Sequence, residues 1–257
     1  MDTPVDLRVA DSVATVTLNR PEKRNALNDQ LLDALLDKLT LAKEDPAAHC
    51  IVLTGAGEKA FCAGGDLGST PQGLLQMHQG RERFVDTLKC MSTLGKPILA
   101  RVAGDALGGG FGLMLACDLV IAADDTQMGT PEVQVGLFPM MIMALIFRNI
   151  GRKKGMELML SGAKVGAPEA QTLGLINYAV PREQLDSKVA ELASKIAGFS
   201  PAVLKLGRDA FYHSADMDQW SALEYLRSQL TLNTLTEDAA EGIMAFLSKR
   251  KPEWKGR

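Results

Sequence analysis

Residues 106–118 read Ala106-Leu107-Gly108-Gly109-Gly110-Phe111-Gly112-Leu113-Met114-Leu115-Ala116-Cys117-Asp118. An apolar run over residues 98–102 precedes this glycine-rich segment and predicts a short buried strand. A second apolar run, over residues 119–123, predicts another strand after a helix that begins within the glycines. Strands that alternate with helices indicate an α/β fold.

The same alternation extends toward the N-terminus. Residues 5–9 and 13–18 alternate apolar with polar side chains around a short break, which predicts a β-hairpin. Asn28 is placed to cap a helix whose leucines recur every four residues, and Asp45-Pro46 ends that helix. Residues 51–53 predict a further buried strand, which leads into a second glycine-rich loop.

The pattern changes beyond about residue 151, where mostly helical segments follow. They include residues 182–197, 201–212 and 217–235. We therefore predict a core over residues 1–195 and a helical C-terminal region over residues 196–257.

Composition bounds the class of protein. The 257 residues carry 28 Lys and Arg against 31 Asp and Glu, a net charge of −3 without a basic run, so we expect neither nucleic acid nor a membrane surface as partner. No apolar stretch approaches the roughly 20 residues of a membrane span, and the opening residues are unlike a signal peptide. Four cysteines and three histidines lack metal-ligand spacing. We expect a cytoplasmic protein without a metal.

Two glycine-rich loops follow predicted strands, and each by itself is typical of a tight turn. The earlier loop includes Phe61-Cys62-Ala63-Gly64-Gly65-Asp66-Leu67. Just before it, Gly55-Ala56-Gly57-Glu58-Lys59-Ala60 fits the dinucleotide pattern G-x-G-x-x-A. A dinucleotide site would need an amphipathic helix next, but Gly64, Gly65 and Gly68 interrupt that stretch, which disfavours it.

The two loops, together with Gly129-Thr130-Pro131-Glu132, make the chain resemble the enoyl-CoA hydratase/isomerase family, the crotonases. The resemblance implies a spiral of repeated β-β-α units with C-terminal helices that form trimers, often paired into hexamers. It also implies that the backbone N–H groups of Gly65 and Gly109 bind a thioester enolate oxygen. Such preorganised donors stabilise charge that develops during the reaction.

The resemblance implies two catalytic glutamates in hydratases, at the positions of Gly112 and Glu132. Here Gly112 replaces the first, so Glu132 is our catalytic candidate. Its apolar neighbours, which include Val133 and Phe138, should raise its pKa toward neutrality. Without the family pattern, a solvent-facing glutamate would be the simpler interpretation. Bulky residues at 140–143 should also remodel the expected acyl pocket.

The resemblance further assigns contacts to coenzyme A (CoA), which enters as part of the substrate, so no separate cofactor is predicted. Lys23 and Arg24 are expected to contact the phosphates. Ala63 and Leu67 are expected to cradle the adenine and pantetheine parts. The last two positions, from which a neighbouring subunit reaches CoA, are Phe246 and Lys249.

Three functions remain open at this point. Two carboxylates serve water addition best, whereas one can shift a double bond, so we predict enoyl-CoA isomerisation in fatty acid metabolism. The first alternative is a hydratase or dehydratase that takes its second acid or base from residues 68–91, with Glu82 and Asp86 as candidates. The second is an acyl-CoA-binding protein without catalysis.

Overall fold

The computed structural model describes residues 3–68 and 73–257. Strands and helices alternate through most of this part of the chain and are numbered here in chain order. The strands are β1 (Val5–Ala10), β2 (Val13–Leu18), β3 (Cys50–Gly55), β4 (Ala60–Cys62), β5 (Ile98–Val102), β6 (Asp105–Leu107), β7 (Leu119–Ala123), β8 (Gln127–Gly129), β9 (Lys164–Gly166) and β10 (Tyr178–Val180). The helices are α1 (Asp29–Glu44), α2 (Leu74–Ser92), α3 (Gly109–Leu115), α4 (Met140–Asn149), α5 (Arg152–Ser161), α6 (Ala167–Leu173), α7 (Leu185–Ala197), α8 (Pro201–Ser214), α9 (Gln219–Thr234) and α10 (Glu237–Leu247).

The strands form two sheets. The larger has the order β1-β2-β3-β5-β7-β10, and the smaller has the order β4-β6-β8-β9. In the larger sheet only β1 and β2 pair antiparallel, and the neighbours from β2 to β10 pair parallel. In the smaller sheet β4, β6 and β8 are parallel, and β9 is antiparallel to β8.

Three successive turns of the chain each contribute one strand to each sheet and then a helix. The units β3-β4-α2 and β5-β6-α3 have this order, and β7-β8 follows with α4 after a short 3-10 helix. Parallel neighbours require such crossovers, because a strand that runs in the same direction cannot be reached by a tight turn. The predicted α/β spiral of repeated β-β-α units is therefore confirmed.

The larger sheet is covered on both faces, so its central strands β3, β5 and β7 are buried at almost every position rather than at alternate ones. Ile51 and Leu53 of β3 belong to the main core, while Cys50 and Val52 pack toward α7. The whole of β3 is buried. α7 thus closes one face of the sheet, and the remaining helices close the other or extend beyond it.

Several predicted elements are confirmed, including the hairpin β1-β2 and the Asn28 cap, whose side chain accepts a hydrogen bond from the Leu31 N–H at 2.9 Å. The described chain after residue 151 is mostly helical, as predicted, but the strands β9 and β10 were not predicted. These strands have three residues each, too few to show a period of two. The predicted boundary between residues 195 and 196 falls in the last turn of α7, and the division into two regions stays a prediction.

Some features concern only residues 3–68 and 73–257. Each helix there is too short or too polar to cross a membrane. In the same residues no group of three or more His, Cys, Asp or Glu side chains could hold a metal ion. All four cysteines are free thiols.

Candidate active site

The triple glycine places the start of α3 against the smaller sheet. Gly108 follows β6 with φ 53° and ψ −126°, a conformation that favours glycine, and its N–H donates to the Gly129 carbonyl at 2.9 Å. At Gly110 a Cβ would stand only 2.6 Å from the Cβ of Cys62, so α3 lies directly on β4. Among the described residues, the Gly109 N–H donates to no acceptor. That group is therefore available at the start of α3.

The earlier loop lies beside the triple glycine. A Cβ built on Gly64 would be 3.3 Å from the Gly109 nitrogen, and one built on Gly109 would be 3.9 Å from the Gly64 Cα. Gly65 pairs with Leu27 in a parallel bridge. The Gly65 N–H, like that of Gly109, has no acceptor in the part of the chain that the structure describes. The fold thus brings together the two loops that the sequence predicted to act as a pair.

Glu132 meets these loops from a third segment. It is the second residue of the 3-10 helix Pro131–Val135, directly after β8 and Thr130. Its Oε1 is 2.9 Å from the point where a side chain would begin on Gly108. A residue with a Cβ at position 108 would therefore displace the carboxylate, whereas glycine leaves room for it.

The environment of Glu132 favours its neutral form. Its Oε2 is buried and has no hydrogen-bond partner among the described residues. Burial raises the pKa of Glu132 above its ordinary value, against an opposing effect of its own backbone N–H. A buried carboxylate oxygen without a donor is costly, by about 1–3 kcal/mol. Such an arrangement suits a group that exchanges protons with a substrate.

The space beside Gly112 is filled by neighbouring side chains. A Cβ there would overlap with the Ile142 Cγ2 and would stand 3.2 Å from the Ile142 Cβ and 3.4 Å from the Phe84 Cζ. Ile142 belongs to α4 and is 3% exposed. The volume in which a side chain at position 112 would begin is therefore filled by an isoleucine.

The candidates for a second acid or base lie elsewhere. Phe84 is the buried residue of α2 that faces Gly109 and Gly112. Glu82 and Asp86 are two positions away on either side, which is about 200° around a helix, and both are exposed. Asp86 pairs with Lys89 at 3.4 Å. Of the predicted stretch 68–91, residues 69–72 lie outside the described residues.

The predicted CoA contacts fall into two groups. The first surrounds the earlier loop: Lys23 ends the 3-10 helix Pro21–Lys23, the Ala63 N–H donates to the Arg24 carbonyl at 3.0 Å, and the Leu67 side chain is 73% exposed. The second group is Phe246, which is 83% exposed near the end of α10, and Lys249 just beyond it. No described hydrogen bond or ion pair joins the two groups within one chain.

Sequence reasoning did not place two neighbours of the site against α3. Phe84 and Ile142 contact the glycine helix α3 from α2 and α4. Both looked like ordinary core residues, because an apolar side chain in a helix carries no local signal of the element it meets. The bulk at residues 140–143 was the one available hint.

Comparison with known proteins agrees with this geometry. The sequence profile of the enoyl-CoA hydratase/isomerase family matches residues 8–257, so the chain belongs to that family. A curated relative, the 2,3-dehydroadipyl-CoA hydratase of Escherichia coli K12, is 36% identical over 248 residues, which cover 95% of this chain and 96% of the relative.

Solved structures give the same result. The enoyl-CoA hydratase of Mycobacterium smegmatis superposes with a TM-score of 0.94 at 33% identity, covering 98% of this chain and 99% of the other. Human enoyl-CoA hydratase domain-containing protein 3 has a TM-score of 0.94 at 30% identity, covering 98% of this chain and 100% of the other. The names of these relatives favour the hydratase alternative over the isomerase that the sequence predicted.

Proposed function

We propose that this chain acts on an enoyl-CoA thioester, with Glu132 as the proton-transfer group and the N–H groups of Gly65 and Gly109 as donors to the enolate oxygen. The observation that carries the proposal is the buried Oε2 of Glu132 beside the Gly108–Gly109 turn, for which residues 3–68 and 73–257 supply no hydrogen-bond partner. A carboxylate with a raised pKa exchanges protons efficiently near neutrality. The N–H groups of Gly65 and Gly109 supply the electrostatic stabilisation that a thioester enolate needs.

Hydration of a 2-enoyl-CoA is the reaction that the comparisons favour, since the relatives described above are named hydratases. With one carboxylate, Glu132 takes a proton from water as the water oxygen bonds to C3. The electron pair of the double bond moves to the thioester oxygen, which the Gly65 and Gly109 N–H groups hold. Glu132 then returns the proton to C2, and the carbonyl re-forms.

Isomerisation stays as the second candidate, because the packing at Gly112 favours it. Ile142 fills the volume where a second carboxylate would begin. A double-bond shift requires only that one group remove a proton from C2 of a 3-enoyl-CoA and deliver a proton to C4. Glu132 alone can serve both steps.

Binding of the CoA moiety and self-association are parts of the same proposal. Lys23, Arg24, Ala63 and Leu67 line the loops next to the donors, and the two cations suit phosphate groups. Phe246 and Lys249 then serve a neighbouring subunit. Exposed apolar side chains on α8 to α10, and at the end of α9, support assembly as a trimer or a dimer of trimers: Phe211, Trp220, Leu223, Leu230, Leu232, Leu235, Ile243, Met244 and Leu247. We also propose a cytoplasmic location.

The test is a panel of 2-enoyl- and 3-enoyl-CoA thioesters, with products followed by mass spectrometry and affinities by calorimetry. Glu132→Gln should lower turnover by about 10²–10⁴ while the affinity for the thioester stays within about threefold. Glu191→Gln, which alters an exposed carboxylate paired with Lys188 on α7, is the control and should match the wild type. Tight binding without turnover by the wild type would instead support the non-catalytic binder.

A further inference from the structure

The direction of the Gly65 N–H is set by a short parallel pairing of two loops. Residues 24–27 lie beside residues 63–66, and three backbone bonds join them. They are Ala63 N–H to Arg24 O at 3.0 Å, Leu27 N–H to Gly64 O at 2.7 Å, and Asp66 N–H to Leu27 O at 2.8 Å. In such a ladder the groups on either side of a residue face the partner, so that residue's own N–H points away from it. For Gly65 the register therefore leaves its N–H unpaired with this partner.

Register in so short a pairing is weakly determined by the backbone alone, because three bonds can be exchanged for three others one residue along. A slip by one residue would turn the Gly65 N–H toward the partner segment. The N–H of a neighbouring residue would then point away from the pairing in its place. Something besides the ladder must therefore hold residues 63–66 against residues 24–27.

Arg20 contacts both segments of the pairing. Its Nη1 donates to the Ala26 carbonyl at 2.7 Å, and its Nη2 donates to Asp66 Oδ2 at 3.0 Å. The backbone of Arg20 is held in turn, since its N–H donates to the side chain of the fully buried Asn25 at 3.0 Å. The guanidinium thus bridges the two segments at the position next to Gly65.

The bridge is shielded from solvent. The Arg20 and Asp66 side chains are only 17% and 15% exposed. Burial opposes ionisation of Asp66, but hydrogen bonds from Arg20 and from the Gly68 N–H outweigh it, so the pKa of Asp66 lies below its ordinary value. Removal of either partner would leave the other charge shielded from water without its counter-ion, which is unfavourable.

We propose that Arg20 and Asp66 are positioning residues, which hold the register of the two loops and so aim the Gly65 N–H at the enolate oxygen. The inference rests on the proposed role of Gly65 as a donor. Arginine directs two separate nitrogens at the two acceptors, whereas lysine would have to reach both from a single nitrogen at the end of a different stem. Arg20→Lys should therefore behave like Arg20→Gln rather than like the wild type.

The kinetic test uses Arg20→Gln, Arg20→Lys, Asp66→Asn and the double variant Arg20→Gln/Asp66→Asn. Each single change should lower kcat about 10- to 100-fold, since a donor displaced by about 1 Å loses up to about 10² in rate. KM should change by less than about threefold, because the CoA contacts remain. The double variant should be no slower than the slower single one, since both remove one bridge.

A spectroscopic readout separates positioning from general loss of structure. Acetoacetyl-CoA forms an enolate that absorbs in the near ultraviolet, and the donor pair should lower the pH at which the bound thioester ionises. In the variants this pH, the midpoint of the ionisation, should rise toward the value for free acetoacetyl-CoA.

A matched control is Arg182→Gln. Arg182 likewise joins the Ala103 carbonyl to the Asp125 carboxylate, and neither acceptor belongs to the paired loops. The control should leave kcat and the midpoint unchanged.

The inference is overturned if the variants keep wild-type kcat and midpoint, or if they lose stability and substrate affinity in proportion to kcat. Amide hydrogen exchange of a peptide over residues 60–68 gives a readout without turnover. Faster exchange there in the Arg20 and Asp66 variants, but not in Arg182→Gln, supports the bridge, and unchanged exchange refutes it. A wild type that neither turns over enoyl-CoA nor shifts the midpoint would refute the proposed function, with the exchange data still deciding the bridge.

Discussion

Restoring a carboxylate at position 112 should fail unless Ile142 is made smaller at the same time. Gly112 is buried in α3, and the first atom of any side chain there would overlap with the Ile142 Cγ2. The overlapping atom is attached to a branched Cβ that itself lies 3.2 Å away, so rotation about one bond cannot remove the conflict. The α3–α4 contact would have to open.

The cost follows from the contacts. Overpacking of a filled core costs about 1–3 kcal/mol, and a buried carboxylate without a donor adds about 1–3 kcal/mol. Replacing a glycine within a helix stabilises the helix by only about 1 kcal/mol. Gly112→Glu should therefore lower the free energy of unfolding by about 3 kcal/mol. Ile142→Ala should cost about 2–5 kcal/mol through its cavity, and the double variant should be more stable than additivity predicts by about 1–3 kcal/mol.

Urea unfolding of the wild type, Gly112→Glu, Ile142→Ala and the double variant measures the coupling free energy between the two positions. The enoyl-CoA panel measures whether the double variant gains hydration relative to isomerisation. Ile146→Ala supplies a matched cycle, because Ile146 is an equally buried isoleucine of α4 whose Cγ2 faces Gly155 instead. Gly112→Glu should combine additively with Ile146→Ala. Equal coupling in both cycles, or none in either, would refute the view that Ile142 occupies the missing side chain's place.

Two other predictions concern ionisation and assembly. Because burial raises the pKa of Glu132 in the folded state, its contribution to stability is fully present below the unfolded-state pKa and is lost as the pH rises through the folded pKa. The wild type should therefore lose unfolding free energy across that interval relative to Glu132→Gln, in urea titrations at a series of pH values, and parallel curves would contradict it. Phe246→Asp should weaken both self-association and acyl-CoA affinity, because Phe246 is 83% exposed in the single chain and is proposed to contact a neighbouring subunit's CoA. Light scattering measures the self-association and calorimetry measures the affinity. A wild-type monomer at micromolar concentration would refute this prediction.

Much of the fold was accessible to sequence reasoning where an element is long or has a local chemical signature. The hairpin, the helix capped by Asn28 and the strands around residues 98–102 and 119–123 all have periodicity or turn residues that act locally. The strands β4, β6, β8 and β9 have only three residues each. Their pairing depends on partners brought from elsewhere in the chain, so a second sheet could not be predicted from local pattern.

In the candidate site, too, some features follow from the sequence and others from the tertiary structure. The sequence by itself determined the chemical groups: the glycines of the two loops, the one carboxylate at Glu132, and the absence of a carboxylate at Gly112. Only the tertiary structure decided that Glu132 lies against Gly108 with a buried oxygen, that Ile142 fills the space at Gly112, and that Arg20 bridges two loops. The physical reason is that burial, close packing and hydrogen-bond register depend on distances between segments far apart in the chain, and these arise only when the β-β-α spiral closes.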